Sequence, residues 1–328
     1  MKTRFLSTAI TTAALFLAAC STEENPSEAW DGRIHLSSGV ATLTRATQNL
    51  DDKIANNETV WLYIDGSSTD ADAVQYYGKQ LTANGSNGFT GADNLFFPAN
   101  ETSINLYAFH IDEPGTANMS ADAYPAVQLT HQVSQDQQSS GNGYAKSDLL
   151  YAKTSLTKEN AKSNGGAVEL PFKHQLSKIE VVLKKDPGVG SATIDKVEIL
   201  NTQLQGTFTP SKTSESLLVT ASGSIDGNTH NPIQIDNGVT TNDAPVLNEA
   251  IIIPQTINEG TAFIRVTLST GGVLTYQLVD DDPSTSSVTF APGTKYRYTI
   301  TAKLTGLTVT SSISSWSGNN TSTGEATM

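Results

Sequence analysis

Across 328 residues, 33 Asp and Glu stand against 20 Lys and Arg, giving a formal net charge of −13 and a sequence pI of about 4.7. That balance excludes nucleic acid and an anionic membrane surface as electrostatic partners. Charged residues make up only 16% of the chain while Ser, Thr, Asn and Gly abound, which suits an extracellular β-protein rather than a helical cytosolic one.

The first 20 residues read as a secretory signal. Lys2 and Arg4 form a basic start, and 5–17 is apolar apart from Ser and Thr. The run is too short to span a membrane. It ends on Leu17-Ala18-Ala19-Cys20, which resembles a bacterial lipobox. Cys20 is therefore the expected lipidation site, with palmitate as the expected kind of acyl chain, and the first residue once the signal is removed. It is also the only cysteine, so the body is expected to hold no disulfide and to rest on burial and hydrogen bonding. Glu23-Glu24 either resembles a tag for export to the outer face of the outer membrane or forms a plain solvated tether.

The segment 33–45 carries Ile34, Leu36, Ser38 and Val40 on one parity, the pattern of a half-buried strand. It ends at Arg45-Ala46, followed by a polar run without periodicity. Arg45 is a candidate site for an arginine-specific protease, or else a solvated turn residue. From 58 onward, short apolar runs alternate with turn signals at the spacing of an all-β sandwich. Strands are expected at 59–64, 75–81, 103–110 and 127–133, with a buried strand or turn at 148–152 and an exposed connection at 157–166. A second unit is expected from 167, with strands at 168–173, 178–185, 194–200, 206–210 and 217–220. The run 248–255 is apolar throughout, and strands at 262–268, 273–279, 288–290 and 295–305 follow. No window keeps a 3.6-residue period, so almost no helix is expected. The organisation is a signal (1–20), a propeptide with its strand (21–45), and two bodies (46–166 and 167–328).

Five stretches in this order resemble the fimbrillin family, the lipoprotein pilins of type V fimbriae. They are 148–152 (DLLYA), 170–179 (LPFKHQLSKI), 253–256 (IPQT), 292–296 (PGTKY) and 313–316 (ISSW). The step Thr44-Arg45-Ala46 matches the place where that family is cut. The resemblance implies two tandem transthyretin-like Greek-key β-sandwich domains. It also implies export as a lipoprotein to the cell outer membrane, removal of the N-terminal strand after Arg45, and polymerisation with other fimbrial subunits by donor-strand exchange, supporting adhesion.

The physical logic of that exchange can be read on these residues. A sandwich that loses a strand exposes an apolar groove flanked by unpaired backbone groups, and β-strand addition repairs it. The replacement must repeat the parity of the strand that left. Leu307, Val309, Ser311 and Ile313 repeat Ile34, Leu36, Ser38 and Val40 as apolar, apolar, serine, apolar at steps of two. Trp316 lies on the other parity; it either anchors the end of the donor or is a core residue.

Chemistry is sparse. His35, His110, His131, His174 and His230 are scattered without metal-ligand spacing, and His174 reads as a structural hydrogen-bonding residue. The carboxylates of 280–282, and of Asp65, Asp70 and Asp72, fit no calcium loop. No nucleophile elbow, phosphate loop or cysteine nucleophile is present. No catalytic residue, metal or cofactor is expected, and the protein reads as no enzyme. Tyr76, Tyr77, Phe96 and Phe97 are candidates for a glycan platform or for core. Two other functions stay open beside the processed pilin. One is an uncleaved lipid-anchored anchor or tip adhesin with a host or bacterial surface ligand. The other is a surface glycan-binding lipoprotein.

Overall fold

The computed structural model describes residues 30–40, 53–66, 78–111, 119, 123–225, 230–240, 246–279, 286–303, 306–316 and 326–327. The chain begins with β1 (His35–Val40), β2 (Asn56–Gly66), β3 (Lys79–Asn84), β4 (Phe89–Thr90), β5 (Ser103–His110) and β6 (Leu129–Gln132). Next come a one-turn helix α1 (Gly143–Ser147), β7 (Leu150–Thr157), helix α2 (Lys158–Ser163) and β8 (Ala167–His174). The strands β9 (Ser177–Lys185), β10 (Ile194–Ile199), β11 (Gln205–Phe208), β12 (Thr220–Ser222), β13 (Ile233–Ile235), β14 (Asn248–Ile252) and β15 (Gln255–Asn258) follow. The last are β16 (Ala262–Leu268), β17 (Val273–Gln277), β18 (Ser287–Phe290), β19 (Thr294–Lys303), β20 (Gly306–Ser315) and β21 (Ala326–Thr327). The architecture is all-β, as the sequence predicts.

Seven strands form the first sheet in the order β1-β8-β7-β5-β2-β3-β4. Its central strands are apolar on both parities, and both faces are covered. Val60, Leu62, Ile64, Ile104, Leu106, Ala108, Leu170 and Phe172 build one core with Ile34, Val40, Leu95 and Phe97. The opposite parity, Trp61, Tyr63, Tyr107, Phe109 and Tyr151, joins the larger core that holds the second unit's apolar residues. There Lys212 reaches back from the second unit to pair with Asp65. Its ammonium sits 5.0 Å over the Tyr124 ring and 5.8 Å from that of Tyr107. Burial, and then the charge of Asp65, push the Tyr107 phenol up to about 12, so it stays a neutral donor at ordinary pH.

In the second unit, β14-β9-β19-β20-β21 and β13-β10-β16-β17 are the two larger sheets, beside the pair β15-β18. β6, from the first half of the chain, instead pairs with β11 in the small sheet β12-β11-β6. At the open edge of β14 a side chain replaces part of a missing neighbour. The buried amide of Gln137 accepts from the Ile251 N–H at 2.7 Å and donates to the Ile251 carbonyl at 2.9 Å. A side-chain amide thus stands in for one rung of a neighbouring strand.

Several details differ from the sequence expectation, among them the strand expected at 217–220, which begins only at Thr220. Ala167–His174, expected to open the second unit, is hydrogen-bonded between β1 and β7 in the first sheet. The change of sheet falls at Gln175-Leu176, where the Gln175 N–H bonds the Leu149 carbonyl. The exposed connection at 157–166 holds α2, capped by the Thr157 hydroxyl accepting from the Asn160 N–H at 3.1 Å. The apolar run 248–255 is split into β14 and β15 around Pro254, which cannot donate to a ladder.

Candidate strand-exchange site

β1 is an edge strand lying parallel to β8, with His35 opposite Ala167 and Val40 opposite Phe172. Its alternation sends Ile34, Ser38 and Val40 inward to near-complete burial, with Leu36 half-buried against the same core. β1 is held from both sides. Toward β8, the His35 N–H bonds the Gly166 carbonyl at 2.9 Å. Away from it, the Ile34 N–H bonds the Leu95 carbonyl at 2.8 Å and the Ser38 N–H bonds the Asn87 carbonyl at 3.0 Å. β1 therefore fills a slot between the edge of β8 and the segment 87–97, rather than lying against an open edge.

The entrance to the slot is closed by aromatic packing. Trp30 meets Phe97 edge-on at 5.8 Å, and its indole N–H bonds the Arg33 carbonyl at 2.6 Å. Gly166 has φ +81°, and a Cβ there would fall 1.9 Å from that same carbonyl, so only glycine lets the chain pass so close. If β1 leaves, β8 becomes the edge of the sheet.

β20 occupies the other end of the molecule's strand pairing. It runs antiparallel to β19 over ten residue pairs, from Thr294 opposite Ser315 to Lys303 opposite Gly306. Val309 is buried and Leu307 half-buried against the large core, whereas Ile313 is 44% exposed. The tail thus carries the parity expected of a donor, yet in this chain it is docked on its own sheet.

Trp316 is 1% exposed. Its indole stacks on the His174 imidazole with centroids 3.7 Å apart and planes 7° apart. Its backbone N–H donates to the Gly293 carbonyl at 2.6 Å. His174 is held in turn by Asp148, at 2.9 Å from Nδ1. The Gly293 N–H bonds the Leu176 carbonyl, and Ser177 donates to the Ala291 carbonyl. Four of the five sequence stretches that carry the family resemblance thus meet at one junction. Beneath the indole lie Lys178, paired with Glu249, and Glu180, paired with Arg297 at 2.7 Å. Sequence reasoning missed this charged layer, because Lys178 and Glu180 sit on a strand whose other parity alone looked buried.

Other sequence candidates are dispersed. Cys20, Arg45, Ala46, Tyr76, Tyr77, Asp70, Asp72 and residues 280–282 lie outside the described residues. Phe97 is core, and Phe96 is 38% exposed with the Arg33 guanidinium 5.7 Å from its ring, so the pair does not form one platform. Among the described residues, no group of three or more His, Cys, Asp and Glu gathers as a metal-binding cluster.

The all-β body thus holds an N-terminal strand in a two-walled slot and carries a C-terminal strand of matching parity. The model of a family described as fimbrillin-like matches residues 44–316. The chain belongs to that fimbrillin-like family, which points to a structural, non-enzymatic role in a cell-surface appendage. Among named proteins, the candidate fimbrium subunit Fim1C of Bacteroides uniformis is 25% identical over 321 residues, covering 94% of this chain and 93% of that one. Crystal structures of two candidate cell adhesion proteins share the fold. The one from Bacteroides ovatus has a TM-score of 0.59 at 18% identity, covering 88% of this chain and 99% of its own. The one from Bacteroides uniformis has a TM-score of 0.53 at 21% identity, covering 87% and 100%.

Proposed function

We propose that this protein is a fimbrial subunit exported as a lipoprotein through Cys20, cut between Arg45 and Ala46 by an arginine-specific protease, and polymerised by strand exchange. Before the cut, lipid in the outer membrane holds it. Afterwards β1 leaves, and the strand Leu307, Val309, Ser311 and Ile313 of another subunit takes its slot, supporting adhesion by the resulting fibre. Two tandem sandwich domains, changing over after His174, belong to the same reading. The observation that carries it is the slot itself: three buried side chains and backbone bonds on two sides, in a pattern the C-terminal strand repeats. The family match also begins at Thr44, beside the proposed cut.

Ile313 separates folding from assembly. It is 44% exposed in its own chain but would take the place of Val40, which is 8% exposed. Ile313→Asp is expected to change monomer stability by less than about 0.5 kcal/mol, as surface substitutions do. A carboxylate without a partner in the slot should nevertheless abolish fibres. Fibres of normal length from this variant in electron micrographs would rule out β20 as the donor.

A second reading, an uncleaved lipid-anchored subunit at the base or tip, is favoured by the docking of β20 along its own β19. Acylated Cys20 still attached to subunits in sheared fibres would select it over the first.

A further inference from the structure

The slot has a feature that the alternating pattern alone does not require. Between two aliphatic sites it holds Ser38, which is 4% exposed, followed by Gly39. The Glu169 side chain lies across Gly39, so that a Cβ there would meet its carboxylate oxygen at 1.8 Å. The slot is thus narrow at two successive positions, one facing the core and one facing β8's outward side chain. A replacement strand that leaves the slot's walls as they are must be small at both.

We infer that the slot reads the direction and register of the incoming strand through this narrow pair. It accepts the C-terminal strand of a second copy parallel to β8, with Ser311 in the place of Ser38 and Ser312 in the place of Gly39. This rests on the strand-exchange reading above. In that register Leu307, Val309 and Ile313 take the sites of Ile34, Leu36 and Val40, and Ser312 has only to displace the flexible end of Glu169. Reversed, the same strand brings Val309 to the Ser38 site and Thr308 to Gly39, while Ser311 leaves a gap at Leu36. Sliding the parallel strand by two residues either way puts Val309 or Ile313 at the Ser38 site. Overfilling a close-packed site forces its neighbours off their rotamers, so of these arrangements only the first puts serine at both narrow positions. The reversed strand slid by two brings Ser311 to Ser38 but the larger Thr310 to Gly39 and Ser315 to the Ile34 site.

Cysteine pairs distinguish the directions. The processed body from Ala46 has no cysteine of its own. Ala167, exposed on β8, lies opposite His35 in the present register. The parallel arrangement brings the exposed Thr308 of a second copy to that position, and the reversed arrangement brings Ser312. Neighbouring strands lie ~4.8 Å apart, within disulfide reach. Fibres are assembled from full-length protein carrying Ala167→Cys with either Thr308→Cys or Ser312→Cys. They are then oxidised and run on a denaturing gel without reductant. A ladder of covalent multimers is expected from the Thr308 pair, with the Ser312 pair remaining monomeric. A ladder from the Ser312 pair, or fibres that yield no ladder from either, overturns the inference while leaving strand exchange standing. Failure of every variant and of the parent to form fibres would sink both. As a second readout, Ser311→Ala is expected to assemble normally and Ser311→Leu at least tenfold less. Equal assembly by the two would show that the site does not select for size.

Discussion

A chain starting at Ala46, and therefore lacking β1, is expected to melt about 10–20 °C below the chain that keeps 33–45. Ile34 and Val40 give up nearly all of their burial and Leu36 about half of its contact with the core. Apolar side chains of this size contribute ~1.5–3 kcal/mol each when fully buried, so about 5 kcal/mol is lost before backbone bonds are counted. The N–H and C=O groups on the edge of β8, and the carbonyls of Leu95 and Asn87 on the far wall, lose their partners as well. Against a typical domain stability of about 5–15 kcal/mol this is a large fraction, and in the proposed exchange it is what a new strand would regain. Differential scanning calorimetry on the two chains measures the drop. A synthetic peptide of 33–45 added in trans should restore most of it. Equal melting temperatures would mean that the first sheet is complete without β1.

Lys178→Ala should be comparably severe. The lysine is fully buried, paired with Glu249 and 3.7 Å from Glu180, and it lies under the Trp316 indole. Two charges taken out of water are tolerated because they meet each other. Removing the ammonium takes from the buried Glu249 carboxylate a charge that offsets its desolvation, at a cost of about 3–5 kcal/mol. Replacing both at once, Lys178→Met with Glu249→Leu, removes the desolvation penalty together with the attraction and should be nearly neutral. Urea unfolding of the two variants is the measurement, and a loss below about 1 kcal/mol for Lys178→Ala would mean that the cluster is solvated. The Lys178 ammonium lies 5.9 Å from the Trp316 ring, and Trp316 follows directly on β20. Hydrogen exchange over 306–315 should therefore quicken in Lys178→Ala more than in β5, which lies in the other sheet.

Much of the strand content was legible because one-sided or two-sided alternation is a local signal. β5 declares itself through Ile104, Leu106 and Ala108 against Tyr107 and Phe109, β9 through Ile179, Val181 and Leu183 on one face, and β1 through its period of two. β13 escaped notice because only Ile233-Gln234-Ile235 carries it, behind His230 and Asn231 in left-handed conformation. The polar run at 134–146 hides Gln137, whose role depends on Ile251 arriving from 114 residues away. Affiliation was harder than existence. β8 alternates like any half-buried strand, and nothing local says that it pairs with β1 and β7 rather than with β9.

The site was legible to the same extent. The parity of β1 and its echo in β20 could be read residue by residue, since each depends only on spacing. The far wall of the slot, from Asn87 to Phe97, is built by a loop whose polar and Gly-rich start carries no such pattern. Trp316 shows the limit from the other direction. Its position near the end of the chain suggested either an anchor or a core residue, and in this chain it packs as core, on His174. What it does in a neighbouring subunit depends on whether β20 leaves β19, an event written in no periodicity.

The central claim is that a cut after Arg45 frees the slot for another subunit's strand. It is tested most directly by producing the Arg45→Ala chain beside the parent in a host with the cognate arginine-specific protease. Surface fibres are imaged, and the N-terminus of the product is read by mass spectrometry. The parent should form fibres whose subunits begin at Ala46, and the variant should remain a lipidated, fibre-free monomer that retains β1. Fibres from the Arg45→Ala chain with residues 33–45 still attached would contradict the account.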